Sequence, residues 1–246
     1  IVTQNMVLYK NIFFIGSKIV AYMVYNEFSQ ASENEIFDTF NYFKENYVNE
    51  LIIDLRYNPG GSVDISHKLV NLFAGYNNSG RVYLKMVYND RRLNNYSKLY
   101  IKKEGDSLNL KRVFFITTEQ SASASEAIIN GVKPYMDVKL IGVKTHGKPV
   151  GMNAHIYENY LFFPITFKLY NGDGVGEYFE GLPVDKEAKD DVRYDFGDES
   201  DDCLKNALNY IENGAFNQNL SRSNDINIKQ NLAFEYKGYN RYLNSF

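Results

Sequence analysis

Leu51-Ile52-Ile53-Asp54-Leu55-Arg56-Tyr57-Asn58-Pro59-Gly60-Gly61 is the stretch on which the fold class turns. Leu51 to Leu55 is a short apolar run ending in Arg56, which reads as a strand leading into a turn at Asn58-Pro59-Gly60-Gly61. Pro59 fixes the entry to that turn, and the two glycines let the backbone take conformations closed to other residues. A helix follows, with Ile65, Leu69, Leu72 and Phe73 on one face. Strand, glycine turn, helix and strand recur along the chain, and that pattern argues for an α/β fold.

Upstream, Ile12 to Tyr25 is apolar with Gly16-Ser17 in its middle, which predicts a hairpin or two strands. Ser32-Glu33-Asn34-Glu35 has the spacing of a capping box and opens a helix with the stripe Ile36, Phe40, Phe43 and Tyr47. Downstream, Val82 to Val87 and Val113 to Thr117 read as strands. Asn89 to Leu110 between them is polar and Tyr-rich, a candidate lid or insertion. Ser121 to Tyr135 is a small-residue loop running into a helix, and Leu140 to Val143 is another strand. Met152 to Ile156 and Tyr160 to Leu169 predict a hairpin, and Asn171 to Gly176 a glycine-rich loop. Asp201 to Asn213 predicts a helix with Leu204, Ala207, Leu208 and Ile211 inward. Residues 1–214 therefore form the core and residues 215–246, Asn-rich and polar, a tail.

A length of 246 residues allows one large domain or two small ones, and 44% hydrophobic with 23% charged residues is ordinary for a globular protein. The net charge is -3 and the lysines and arginines are scattered, unlike the basic stripe of a nucleic-acid binder. No apolar run reaches the roughly 18 residues of a membrane span. The single cysteine, Cys203, excludes an intrachain disulfide and reads as a small buried hydrophobe on a helix. The first residue is Ile1 and no signal peptide is visible, so the sequence reads as a fragment of a longer chain.

Three segments carry chemistry. The N–H groups of the Asn58 to Gly61 turn, just ahead of a helix, suit one half of an oxyanion hole, with Gly60 as the donor. Ser121-Ala122-Ser123-Ala124-Ser125-Glu126-Ala127 offers small neighbours and a tight turn at the head of a helix, as a nucleophilic serine needs. Thr145-His146-Gly147-Lys148-Pro149-Val150-Gly151 places Lys148 on an apolar, glycine-punctuated flank, where burial can bring a lysine toward the pKa ~7 to 8 of a general base. Taken singly, each also fits a bland reading: a plain strand-to-helix connection, a Ser-rich helix cap, a solvated loop lysine.

Together, in this order, the segments resemble the C-terminal processing (tail-specific) serine peptidases, which carry a DLRxNxGG-type turn, an SASASE-type nucleophile loop and a GKG-type lysine 25 positions after the nucleophile. Ser123 and Lys148 have that separation. The resemblance covers roughly Ile12 to Asp185, ending at Gly181-Leu182-Pro183-Val184-Asp185, which is similar to the family's G-x-x-P-D element. It implies a ClpP/crotonase-like layered fold of repeated ββα units, with Ser123 as nucleophile, Lys148 as base, and the N–H groups of Gly60 and Ala124 as oxyanion hole. Gly61, Glu126 and His146 are candidate supporting residues. It further implies a polypeptide substrate, no metal or cofactor, and work outside the cytoplasm, periplasmic or envelope-anchored. Family members usually carry a PDZ domain before this core. None is seen here, and one is expected upstream of the fragment if present.

The sequence departs from the family at three points. Met152 stands four residues after the lysine, where many members have a Gln that orients the amine; on a regular strand residues 148, 150 and 152 share a face, and Met cannot hydrogen-bond as Gln does. Pro149 replaces a glycine and removes one backbone donor. Pro134 stands where some members have an Asp. On a regular strand His146 would share the face of Lys148, which leaves a serine–histidine pair as a rival. Two other readings stay open: a catalytically silent peptide-binding homologue, and, by fold analogy alone, a crotonase-type acyl-CoA enzyme.

Overall fold

Side-chain alternation along three adjacent strands sets the layers. The computed structural model describes residues 5–89, 91, 96–105 and 107–216. A six-stranded sheet has the order β1-β2-β3-β6-β7-β12, where β1 is Val7–Ile15, β2 Lys18–Tyr25, β3 Glu50–Asp54, β6 Arg112–Thr117, β7 Asp137–Gly142 and β12 Lys186–Glu187. The β1–β2 pair is antiparallel and every later pair is parallel. Leu51, Ile53, Val113 and Phe115 face one core while Ile52, Phe114 and Ile116 face another, so both sides of the sheet are covered. Two covered faces explain why these strands read as continuous apolar runs.

One face carries α1 (Glu33–Glu45), α2 (Val63–Asn78) and α3 (Ala124–Val132), together with a four-stranded sheet in the order β5-β4-β11-β8. In that sheet β4 is Val82–Tyr88, β5 Tyr96–Tyr100, β8 Val150–Met152 and β11 Ile165–Tyr170. The other face carries α4 (Asp202–Asn213), with Cys203, Leu204, Ala207, Leu208 and Ile211 buried. The mixed α/β class expected from the sequence is borne out, and Cys203 is fully buried on its helix.

Several local expectations need correction. The capping box at Ser32 does not form. Ser32 is the N-cap of α1, but its hydroxyl donates to Ser29 O and shares a hydrogen bond with the Tyr25 hydroxyl, while Glu35 Oε2 accepts from Met6 and Val7 N–H. Tertiary partners win over the local cap. Tyr47 falls beyond α1 at φ 57° and is exposed, so the stripe ends at Phe43. Within the Asn89 to Leu110 segment, β5 pairs antiparallel with β4; residues 90, 92–95 and 106 lie outside the described residues. The single hairpin expected over Met152 to Leu169 is a nested arrangement: β9 (His155–Tyr157) pairs with β10 (Tyr160–Phe162), while β8 and β11 pair around them. The expected tail lies outside the described residues from residue 217 onward.

Strands β3, β6 and β7 are adjacent and parallel, so the loops after Asp54, Thr117 and Gly142 leave the same edge of the sheet. These are the three segments singled out in the sequence, and the carboxyl edge of a parallel sheet is where such folds gather their chemistry. Beneath this edge lies a buried ionic cluster. Arg56 pairs with Asp54, Asp190 and Asp201, at 2.8, 2.9 and 2.9 Å, and the Tyr22 hydroxyl donates to Asp54. It ties the turn after β3 to the N-cap of α4, where Asp201 accepts from Leu204 N–H.

Candidate active site

The turn after β3 and the loop after β6 are bolted together by serine hydroxyls. Ser121 Oγ donates to Leu55 O at 2.7 Å, Ser125 Oγ donates to Asn58 O at 2.9 Å, and Ala122 N–H donates to the same Asn58 carbonyl. Asn58 is itself fully buried, with its side-chain amide donating to Tyr25 O. Two of the three serines in Ser121 to Ser125 are thus structural fasteners. Ser123, the middle one, is partly exposed, and its hydroxyl donates to no group among the described residues.

Ser123 is the N-cap of α3 and sits at φ 55°, ψ -110°. That is a sparsely populated conformation for a residue with a Cβ, on the order of 1–3 kcal/mol in strain. It turns the chain sharply from strand to helix and leaves the side chain at the head of α3, the geometry a nucleophilic serine requires. Gly60 explains how the loop closes over the turn. At φ 105°, a Cβ on Gly60 would stand 2.7 Å from Ser123 Cβ, 2.7 Å from Ala122 O and 2.9 Å from Ala124 N, so only glycine fits.

Glu126 is the residue that joins the nucleophile loop to the lysine segment. It is fully buried in the first turn of α3. Its carboxylate accepts Ser123 N–H (2.9 Å), Thr145 Oγ–H (2.6 Å), Gly147 N–H (2.6 Å) and Lys148 N–H (2.8 Å). Four donors on one carboxylate fill its acceptor capacity, since each oxygen takes two. Sequence reasoning gave Glu126 only a candidate supporting place and missed Thr145, whose hydroxyl also accepts Leu182 N–H. Thr145 has no sequence signal beyond its polar type; Glu126 has one for its bond to Ser123 N–H, the capping-box spacing Ser123-x-x-Glu126, but none for its tertiary contacts.

Lys148 is half-buried and lies ahead of β8, not on it. Burial pushes its pKa below the ordinary 10.5, opposed by the Glu126 charge. Because the strand begins at Val150, the alternation that would align residues 146, 148 and 152 does not extend to Lys148. Met152 pairs with Ile165 on the edge strand and is exposed. His146 is exposed, and its N–H donates to Ser121 O. The regular strand on which a shared face of His146 and Lys148 was argued begins only after both residues.

Of the two amides expected as oxyanion donors, Gly60 and Ala124, one is engaged. Gly60 N–H donates to Asn58 Oδ1 at 2.9 Å, within its own turn. Gly61 N–H donates to no group among the described residues, and Ala124 N–H, at the first position of α3, has no intrahelical acceptor. His67 stacks on Tyr83 and bonds Tyr100 O, while His155 lies exposed on β9.

Residues 19–187 match the model of peptidase family S41, and the chain belongs to that family. It is 27% identical over 170 residues to a protein named "Probable CtpA-like serine protease" from Staphylococcus aureus (strain N315), covering 68% of this chain and 32% of that one. A protein of the same name from Staphylococcus epidermidis is 30% identical over 131 residues, covering 53% and 26%. The chain thus spans about a third of the length of the curated relatives it matches. Among solved structures, an S41 protease from Bacteroides fragilis NCTC 9343 superposes with a TM-score of 0.81 at 28% identity, over 87% of this chain and 59% of that one. The photosystem II D1 C-terminal processing protease shares the fold, with a TM-score of 0.56 at 15% identity over 70% and 42%. The resemblance read from the three motifs is borne out at the level of the family.

Proposed function

We propose that this chain is the catalytic core of a serine endopeptidase that cleaves polypeptides near their C-termini through a Ser123–Lys148 dyad. The observation that carries the reading is the Glu126 carboxylate, which holds the backbone of both residues at one buried point. Neutral Lys148 Nζ takes the proton from Ser123 Oγ, and the oxygen attacks the scissile carbonyl carbon. The resulting oxyanion is held by Ala124 N–H and by a glycine amide of the turn. Gly60 fills that place if its bond to Asn58 is released or shared; Gly61 is the donor already open. The C–N bond then breaks, the proton passes from Lys148 to the leaving amine, and water, deprotonated by Lys148, hydrolyses the acyl-enzyme.

Strand β8 is an edge strand whose outer side is unpaired among the described residues, so an extended substrate adds beside it as a further strand. The resemblance to C-terminal processing peptidases suggests a ClpP/crotonase-like layering and a place in the periplasm or at the cell envelope. Among the described residues no helix is long and apolar enough to cross a membrane. A second reading, a silent peptide-binding homologue, is favoured by the engaged Gly60 amide and by Met152. A fluorophosphonate probe separates the two. The peptidase carries the label on Ser123 and loses it in Ser123→Ala; an unlabelled wild-type chain that still binds peptide would support the silent homologue.

A further inference from the structure

Strands β8 and β9 form one edge. Met152 stands opposite Ile165 and His155 opposite Phe162 in a single antiparallel register, so β9 continues β8 across Asn153 and Ala154, and β10 continues into β11. Among the described residues β8 pairs only with β11 and β9 only with β10, which leaves the other side of both strands unpaired. That edge runs over residues 150–157, about 25 Å at ~3.3 Å per residue. It holds no Lys, Arg, Asp, Glu or Pro, the residues with which proteins guard an exposed edge.

The ribbon beyond Met152 is apolar on both faces. Ile156 and Leu161 stand opposite each other and share one face. Tyr157, Tyr160 and Phe162 share the other, with the Tyr160 and Phe162 rings 6.3 Å apart. All five are exposed, from 52% for Phe162 to 79% for Ile156. The aromatic face offers roughly 400 Å², at about 200 Å² for each full ring, and the aliphatic face offers less. Neither reaches the ~800 Å² per partner of a stable interface between folded proteins. A membrane or a folded partner lying on the ribbon would also cover one face and leave the other in water. A strand added at the edge meets both, because its successive side chains alternate between the faces.

We propose that the β9–β10 hairpin selects the substrate: the extended chain that adds beside β8 continues along β9, and the hairpin favours polypeptides with consecutive apolar side chains at that point. The inference rests on the peptidase reading above, with β8 as the substrate edge. His155 to Tyr157 lie seven to nine residues beyond Lys148. Strands pair residue against residue, so the favoured apolar block lies about seven to nine positions from the scissile bond. Consecutive apolar residues are buried in folded proteins, so the substrate class is an unfolded or unassembled polypeptide.

The test measures binding to the Ser123→Ala chain, where turnover does not enter. Two fluorescein-labelled polypeptides rich in Ser, Thr and Gln are compared by anisotropy, one with a Val-Phe-Val block and the other with Ser-Thr-Ser in its place. The apolar block should tighten Kd about tenfold, the worth of roughly one buried apolar side chain. Ile156→Ser with Leu161→Ser should remove most of that preference, and Tyr157→Ser with Phe162→Ser should do so independently; thermal melts report whether the fold is kept. Equal Kd values for the two polypeptides overturn the inference and leave β8 as an edge that reads backbone alone, whereas binding of neither removes the β8 edge as well. A preference that survives either pair of substitutions with the fold intact also overturns it. Self-association in sedimentation equilibrium, or pelleting with phosphatidylglycerol vesicles, that the substitutions abolish without changing the peptide preference assigns the hairpin to a second copy or a lipid surface instead. Fluorophosphonate labelling of wild type reads the peptidase separately: an unlabelled chain that keeps the apolar preference sinks the peptidase and supports the role of the hairpin.

Discussion

Replacing Glu126 with Gln tests the joint between the nucleophile loop and the lysine segment. The substitution keeps shape and volume. It leaves one acceptor oxygen, which takes two of the four donors, and turns an amide NH2 toward the other two. Each buried donor left without an acceptor costs about 1–3 kcal/mol, so the pair amounts to roughly 4 kcal/mol. In a domain of this size that corresponds to a melting temperature lower by about 10 °C. The electrostatic consequence is separate. The Glu126 charge holds the Lys148 pKa up against burial, so its loss lets that pKa fall further. A base must be neutral to act, and activity appears as pH climbs past its pKa. The onset of Ser123 labelling in Glu126→Gln should therefore move to lower pH, while the plateau drops because Ser123 and Lys148 are no longer held to one point. Thermal melts and fluorophosphonate labelling from pH 5 to 10 read both effects. A variant that melts within about 2 °C of wild type with an unshifted profile would refute the idea that this carboxylate organises the site.

Ser123→Ala should abolish cleavage of an unstructured polypeptide, whereas Ser121→Ala and Ser125→Ala should each retain measurable activity; in urea denaturation Ser125→Ala should lose about 1–2 kcal/mol, the worth of one buried hydrogen bond, and Ser121→Ala more, because its hydroxyl donates to Leu55 O and accepts Thr118 N–H. Lys148→Met should be inactive yet melt higher than wild type at neutral pH. Burial lowers the folded-state pKa of Lys148, so its charged form destabilises the fold below that pKa and the penalty lifts as pH rises toward 10.5; the gain from Met should shrink in alkaline melts. Lys148→Arg should also be inactive, because Arg does not lose its proton at accessible pH. Arg56→Met should destabilise by about 3–5 kcal/mol in chemical denaturation, since it strands the buried Asp54 and Asp201 without their cation. Gly60→Ala should lose labelling, because its methyl group meets Ser123 Cβ at 2.7 Å.

What the sequence disclosed and what it withheld divide along physical lines. Strands β3 and β6 were legible because both of their faces are buried and their apolar runs are unbroken. The turn at Gly60 was legible because only glycine fits its conformation. The joint at Glu126 was legible only in part: the Ser123-x-x-Glu126 spacing is that of a capping box and predicts its bond to Ser123 N–H, but its partners Thr145, Gly147 and Lys148 lie 19 to 22 residues away. The Ser32 box was misread for the matching reason, since Glu35 is drawn to Met6 and Val7 across the fold. The aligned face of His146, Lys148 and Met152 presumed a strand that begins only at Val150.

Ser123 holds a conformation that the chain would not take by itself, and the neighbouring residues show how it is enforced. Ser121 and Ser125 fix the loop on either side by bonding carbonyls of the preceding turn. Ser123 N–H is drawn down to Glu126, and Ala127 N–H bonds Ser123 O to start the helix. Both flanks are fastened and the Ser123 backbone is bonded at N–H and C=O, and these bonds hold it in the strained conformation. The strain of about 1–3 kcal/mol is then offset by neighbours that do no chemistry. On the proposed mechanism, that division of labour explains why the motif carries three serines. Two hold the backbone in a shape that exposes the third. The same logic extends to Asn58, whose carbonyl anchors the loop and whose side chain occupies Gly60 N–H. One residue thereby fixes the support of the Ser123 loop and the engagement of the Gly60 amide together.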